Sequence, residues 1–197
     1  MNTNCVLCFN TNIKLFYKIK NREYCVCKNC KAVFLPAQYH LSCDKEKQRY
    51  LEHNNNVEDL KYQQSALPLI HRVKQNFSKN HLGLDFGAGT RPVVAKLLTD
   101  DCYSIKLYDP YFHNDFDALK TKYDYIICCE VIEHFSNPEK EFKLLKSILK
   151  KGGMIFCKTS LYNDNIDFKN WYYKNDLTHI FFYTVETLDW IKIHFNF

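Results

Sequence analysis

Three groups of residues have the types and spacing to do chemistry. The first is Leu84-Asp85-Phe86-Gly87-Ala88-Gly89-Thr90-Arg91-Pro92, an apolar run ending in an acid and two glycines, with Asp109 closing the next apolar run twenty residues beyond Gly89. Such a run reads as a buried strand turning tightly into a helix, where glycines let backbone approach a ligand. A dinucleotide fingerprint has a third glycine three residues after the second, where strand and helix close around a pyrophosphate. Pro92 stands at that position instead. Proline suits a first helical turn, so the pattern argues against NAD. A carboxylate at Asp109 can accept both hydroxyls of a ribose, and the ligand expected is a nucleoside without phosphate.

The second group is sulfur. Cys5-x-x-Cys8 and Cys27-x-x-Cys30, separated by eighteen residues, have the spacing of a tetrahedral structural zinc site with four thiolates. Cys25 is a substitute ligand or a liner of the knuckle, and His40 and Cys43 are spare candidates. Cys102, Cys128, Cys129 and Cys157 fall in or beside predicted strands and read as small buried apolar residues. The third group is Glu130-x-x-Glu133-His134, which puts three oxygen or nitrogen ligands on one short turn if residues three and four apart share a helical face. His179, in Asp176-Leu177-Thr178-His179, is a fourth. A divalent ion held there would bind a substrate hydroxyl, lower its pKa and orient it. A general base at His179, or purely structural histidines, are the other readings.

These residues need elements to position them. The pattern predicts strands over 82–86, 104–108, 123–129 and 153–159, with helices over 92–99, 138–149 and 184–194. That alternation implies an α/β fold, a mostly parallel sheet with helices on both faces. Upstream, Lys14–Ile19 and Ala32–Leu35 read as short strands around the metal. Residues 44–51 and 57–77 read as helical, and Pro68 is expected to kink or divide the second segment. The implied organisation is a zinc-ribbon-like module at 1–35, a helical linker at 36–80 and a catalytic domain at 81–197. Tyr50 and His53 can reach the cleft from the linker, or simply mark an exposed helix end.

Composition narrows the class of partner. A formal charge of +5, from 27 basic against 22 acidic residues spread along 197, permits an anionic partner without demanding one. No apolar stretch approaches the roughly 20 residues of a membrane span, and no export signal is visible. The expectation is a cytoplasmic protein with no membrane partner. Ten cysteines in such a chain favour metal over disulfides.

From about Leu82 to Phe182 the chain resembles the class I S-adenosylmethionine-dependent methyltransferases. Besides the glycine bend and Asp109, Tyr123-Asp124-Tyr125-Ile126-Ile127-Cys128-Cys129-Glu130-Val131-Ile132-Glu133-His134-Phe135 is similar to the family's fourth strand and following loop. Leu149-Lys150-Lys151-Gly152-Gly153-Met154-Ile155-Phe156 resembles its turn into the fifth strand. The resemblance implies a Rossmann-like sheet and S-adenosylmethionine as cofactor. Gly87, Ala88 and Gly89 would cradle its methionine and ribose parts, Asp85 would lie near the ammonium, and Asp109 would hold the ribose diol. Glu130 and Val131 would line the methionine side, with Tyr111 or Phe112 against the adenine. Capping of the next helix by Asp85 and a solvated Glu130 are the competing roles.

His179, His134 and Glu133 are the candidate catalytic residues, in an arrangement similar to that of metal-dependent small-RNA 2′-O-methyltransferases and some O-methyltransferases of ubiquinone biosynthesis. Only fourteen residues separate Asp109 from Asp124, so one strand-helix unit is expected to be shortened or missing. The family's last two strands are expected to be absent after Phe197. Residues 160–183 carry Trp171, Tyr172, Tyr173, Phe181, Phe182 and Tyr183, and read as a lid over a flat acceptor or as a cover for the sheet edge.

The function implied is methyl transfer to an oxygen, nitrogen or carbon of a small molecule. RNA modification is the alternative, because some sugar C-methyltransferases and a ribosomal RNA guanine methyltransferase resemble a zinc module followed by this fold. Lys14, Lys18, Lys20, Arg22, Lys28 and Lys31, interleaved with Phe16, Tyr17 and Tyr24, would then touch phosphates and stack bases. A non-catalytic zinc-containing binding protein is a second alternative.

Overall fold

The computed structural model describes residues 4–52 and 56–197; His53 lies outside the described residues. In chain order the strands and α-helices are β1 (Ile13–Ile19), β2 (Arg22–Cys27), β3 (Val33–Phe34), α1 (Cys43–Glu52), α2 (Leu60–Asn76), β4 (Leu82–Phe86), α3 (Val93–Asp100), β5 (Ser104–Tyr108), β6 (Tyr123–Cys129), α4 (Pro138–Ile148), β7 (Leu149–Lys158), β8 (Phe181–Phe182) and α5 (Val185–Phe195). The chain divides into two compact units. One gathers Met1–Glu46, Ile132–Lys146 and Thr159–Phe197; the other gathers Lys47–Val131 and Ser147–Lys158.

The second unit holds a parallel sheet in the order β5-β4-β6-β7. A parallel strand covered on both faces is continuously apolar, which is why the buried runs at 82–86 and 123–129 were legible as strands. Ala66, Leu69, Ile70 and Val73 of α2 and Val93, Val94 and Leu98 of α3 pack with Tyr125 and Ile127, two residues apart on one face of β6. Asp59 starts α2 by accepting from the amides of Lys61 at 2.7 Å and Tyr62 at 3.2 Å. Pro68 neither ends nor divides that helix. It lies on the exposed face, while buried neighbours on both sides hold the two halves against the sheet.

From β4 the chain crosses through α3 to β5 and then returns to β6 on the other side of β4. The strand order therefore reverses between β4 and β6, and in open α/β sheets the ligand crevice opens at the carboxyl ends of such a pair. Between β5 and β6 there is only a three-residue 3-10 turn, Ala118–Lys120, instead of a full crossover helix.

The first unit is built around an antiparallel sheet in the order β1-β2-β3-β8. Strand β2 lies between the two strands expected from the sequence, and β8 joins β3 through Val33↔Phe182 and Phe34↔Phe181. Tyr24, Val33, Leu35, Phe168, Trp171, Tyr173, Ile180 and Phe182 form its core. The aromatic side chains of the connection over 160–183 are mostly interior: Trp171, Tyr173, Phe181, Phe182 and Tyr183 are buried, and Tyr172 is exposed. Compactness divides the chain differently from linear boundaries at residues 35 and 80, because strand pairing joins the amino-terminal strands to a segment about 150 residues later.

Candidate functional site

In the second unit the residues after β4, β5 and β6 meet at the carboxyl ends of the strands. Gly87 and Gly89 have φ of +78° and +64°, the left-handed conformation that glycine adopts without steric cost. The amides of Gly87 and Ala88 donate to the Tyr108 carbonyl at 2.8 and 3.1 Å, and the Gly89 amide donates to Asp109 Oδ2 at 3.0 Å. Three successive amides are thereby turned toward the end of β5 rather than offered to a phosphate. Asp109 Oδ1 accepts from the amides of Tyr111 and Phe112 at 2.8 and 3.1 Å. Each carboxylate oxygen has about two acceptor sites, so this buried carboxylate is held in place while keeping capacity for further donors.

A Cβ on Gly89 would meet nothing within 4 Å, so the bend faces open space there. At Gly87 a Cβ would come within 2.6 Å of the Val131 methyls; Val131 closes the bend from the other strand end. Tyr111 and Phe112 are half-buried, with ring centroids 6.1 Å apart, and Tyr50 lies 5.9 Å from Tyr111.

Asp85, at the end of β4, is only 3% exposed. Burial pushes its carboxyl up to about 7 against the Ala95 amide in the first turn of α3, which favours the charge, and the neighbouring Asp109 adds to the rise. The helix-end role is therefore physically present. Glu130 takes a left-handed φ of 54°, its amide donates to the Lys158 carbonyl at 2.8 Å, and its carboxylate pairs with Lys158 Nζ at 3.3 Å. The expected single helical turn carrying Glu130, Glu133 and His134 does not form. A left-handed residue breaks it, and Glu133 and His134 instead belong to a separate 3-10 turn, Ile132–His134, in the first unit.

Within the first unit, Glu133, His134 and His179 offer ligand atoms that all lie within 4.8 Å of one another. His134 Nδ1 faces the Thr178 carbonyl at 3.0 Å and His179 Nδ1 faces the Tyr173 carbonyl at 2.6 Å. Carbonyl oxygen only accepts, so Nδ1 of each ring carries a hydrogen and Nε2 is the basic nitrogen of the neutral ring. Such fixing of the tautomer is what both a general base and a metal ligand require. Buried Glu133 accepts a short hydrogen bond from the Tyr173 hydroxyl, which also lies 3.0 Å from Thr159 Oγ1. In the sequence Tyr173 is one aromatic among several; its contact with Glu133 depends on segments forty residues apart coming together.

The same unit gathers the thiols. Sγ of Cys5 and Cys30 are 3.6 Å apart, those of Cys8 and Cys27 are 3.4 Å apart, and all four fall within 4.8 Å. Four sulfurs about 2.3 Å from a tetrahedral zinc would lie roughly 3.8 Å from each other, so the quartet fits that ion. Contact with the Cys30 thiol lowers Cys5 to about 5, whereas burial raises Cys27 to about 11 and the Cys5 sulfur raises Cys30. A cluster that favours one thiolate and resists the next is suited to a cation. Cys25 stands two residues up β2, roughly 7 Å along the strand, and is not in the quartet. His40 binds the Leu35 carbonyl at 2.7 Å, and Cys43 is exposed. Of the strand cysteines only Cys128 is fully buried; Cys102 and Cys157 are exposed, Cys102 because it sits in a left-handed turn and Cys157 because it lies on β7, the last strand of the parallel sheet.

No helix among the described residues is long and apolar enough to cross a membrane. Comparison with curated proteins returned no match. Among solved structures, the chain is similar to coclaurine N-methyltransferase bound to N-methylheliamine and SAH, at 17% identity and a TM-score of 0.44, covering 79% of this chain. The chain spans about 57% of the length of that enzyme. A family model described as a methyltransferase domain matches residues 58–197, well over half of the chain. On that match, and with a four-stranded parallel sheet inside the matched segment, this chain belongs to the methyltransferase domain family.

Proposed function

We propose that this chain transfers a methyl group from S-adenosylmethionine to an oxygen, nitrogen or carbon nucleophile of a small molecule. The observation that carries the reading is Asp109: a buried carboxylate tied to Gly89, beside a bend that faces open space, inside the segment the family model matches. When bound, S-adenosylmethionine supplies an electrophilic methyl on a sulfonium. The chain supplies alignment, which carries much of the acceleration in an in-line displacement. Asp109 holds the ribose diol, and Gly87, Ala88 and Gly89 admit the cofactor close to backbone. Asp85, Glu130 and Val131 bound its methionine side.

Glu133, His134 and His179 act on the acceptor, as base or as ligands of a divalent ion, in rings whose tautomer the Thr178 and Tyr173 carbonyls set. Full turnover after removal of weakly bound divalent ions would eliminate the ion. Cys5, Cys8, Cys27 and Cys30 hold a structural zinc.

A small acceptor is preferred over RNA because the rings that base stacking needs are already used. Tyr24 is buried, and Phe16 and Tyr17 pack edge-on against Phe168 at 5.0 and 5.4 Å. Lys18 is paired with Glu23 at 2.6 Å. The test is calorimetric titration with S-adenosylhomocysteine. Binding is expected in the unaltered protein and a loss of about tenfold or more in Asp109→Ala, since the deleted carboxylate accepts charge-assisted bonds. No binding by folded protein would end the proposal, and salt-dependent RNA binding would move it to the nucleic-acid reading.

A further inference from the structure

The cysteine quartet and the Glu133–His134–His179 group lie in one compact unit and are joined by a continuous backbone ladder. The Cys27 amide donates to the Ala32 carbonyl at 2.9 Å, closing the knuckle onto the start of β3. β3 lies between β2, through Cys25↔Phe34 and Val26↔Val33, and β8, through Val33↔Phe182 and Phe34↔Phe181. One step beyond β3, the Leu35 amide donates to the Ile180 carbonyl at 2.8 Å. The Ile180 amide in turn donates to the Glu133 carbonyl at 3.0 Å. Ile180 follows His179 directly, so a single residue is gripped by the cysteine module on one side and by Glu133 on the other.

β3 and β8 are two residues each, and strands that short do not persist alone in water. Their order draws on the core they share with Tyr24, Phe168 and Trp171 and on the knuckle that ties β2 to β3.

We propose that the four-cysteine metal site is a positioning element for the histidine group: the ion holds β3, β3 holds β8, and β8 sets His179 against Glu133. The module is then half of the framework behind the acceptor chemistry rather than an appended binding domain. This rests on the zinc reading above and extends it. Coupling of this kind is reciprocal, so disturbing β8 must loosen the metal.

The experiment uses the full chain. Metal analysis first establishes about one zinc per chain, and amide hydrogen exchange is then compared in zinc-loaded and chelator-stripped protein. Exchange over residues 176–183 should rise about tenfold or more along with residues 5–35, while residues 82–89 and 123–129 of the other unit stay unchanged. In parallel, Phe182→Ala, which truncates a fully buried β8 side chain, should weaken zinc affinity roughly tenfold in equilibrium competition with a chromogenic chelator. This second measurement starts from folded, loaded protein and decides the matter if stripping unfolds the whole chain. One bound zinc with exchange confined to residues 5–35, or with zinc affinity unchanged in Phe182→Ala, overturns the coupling alone. A protein that binds no zinc overturns the zinc reading beneath it.

Discussion

Replacing Asp85 by asparagine should make the protein more stable, and more so as pH rises. The carboxyl is 3% exposed at the end of β4 and burial pushes it up to about 7, against about 3.9 in an unfolded chain. Below about pH 4 both states carry the proton and the residue is neutral in its effect. Between about 4 and 7 the unfolded chain ionises while the folded one resists, so stability falls with rising pH, and above 7 the penalty levels off. At 1.36 kcal/mol per pKa unit the penalty is about 1.5 kcal/mol at pH 5 and about 4 kcal/mol at pH 8, an upper limit that local relaxation reduces.

A carboxamide oxygen keeps an acceptor for the Ala95 amide but does not titrate. Urea denaturation of both proteins between pH 5 and 8 should therefore show Asp85→Asn gaining up to about 2.5 kcal/mol relative to the unaltered chain across that window. In a chain of this size this corresponds to several degrees in Tm. A stability difference that stays constant with pH would refute the argument, because it would mean that burial is not what sets the carboxyl's proton affinity. If the carboxylate also faces the cofactor's ammonium, the same variant should bind S-adenosylhomocysteine more weakly at pH 8 despite being more stable.

The remaining expectations are narrower. Gly89→Ala should cost roughly 1–2 kcal/mol from its left-handed backbone alone, while Gly87→Ala should cost roughly 1–3 kcal/mol more from the collision with Val131. Adding Val131→Ala should recover part of the Gly87→Ala loss in a double-mutant cycle, and strict additivity would show that the two do not touch. Tyr173→Phe should lower stability by about 1–3 kcal/mol by removing a buried donor to Glu133, and an unchanged urea midpoint would contradict the hydrogen bond. Converting Cys27 and Cys30 to serine should take zinc content from about one ion per chain to near none, as read by metal analysis after dialysis.

Strands β4, β5 and β6 fall on residues 82–86, 104–108 and 123–129, as the apolar runs suggest. Those runs are short and terminated by glycine or acid, and β4 and β6 are largely buried, so the signal sits within a few residues. The cysteine quartet was likewise visible as two pairs, since two-residue spacing is local geometry. The glycine bend and Asp109 stood out because special backbone conformations demand particular residue types.

Other features depended on contacts between distant segments. Pro68 is tolerated in α2 because its helix is pinned on the opposite face. Glu130 leaves the turn of Glu133 and His134 because its backbone is left-handed, which no spacing rule reports. Nothing near Phe181 and Phe182 announces that they complete the sheet of the cysteine module, because their partners Val33 and Phe34 lie about 150 residues away. Sequence alone determined which residue types are available for chemistry and where strands β4, β5 and β6 fall. Tertiary structure decided which of those residues meet, because strand pairing and core packing are set by long-range complementarity that no periodicity along the chain encodes.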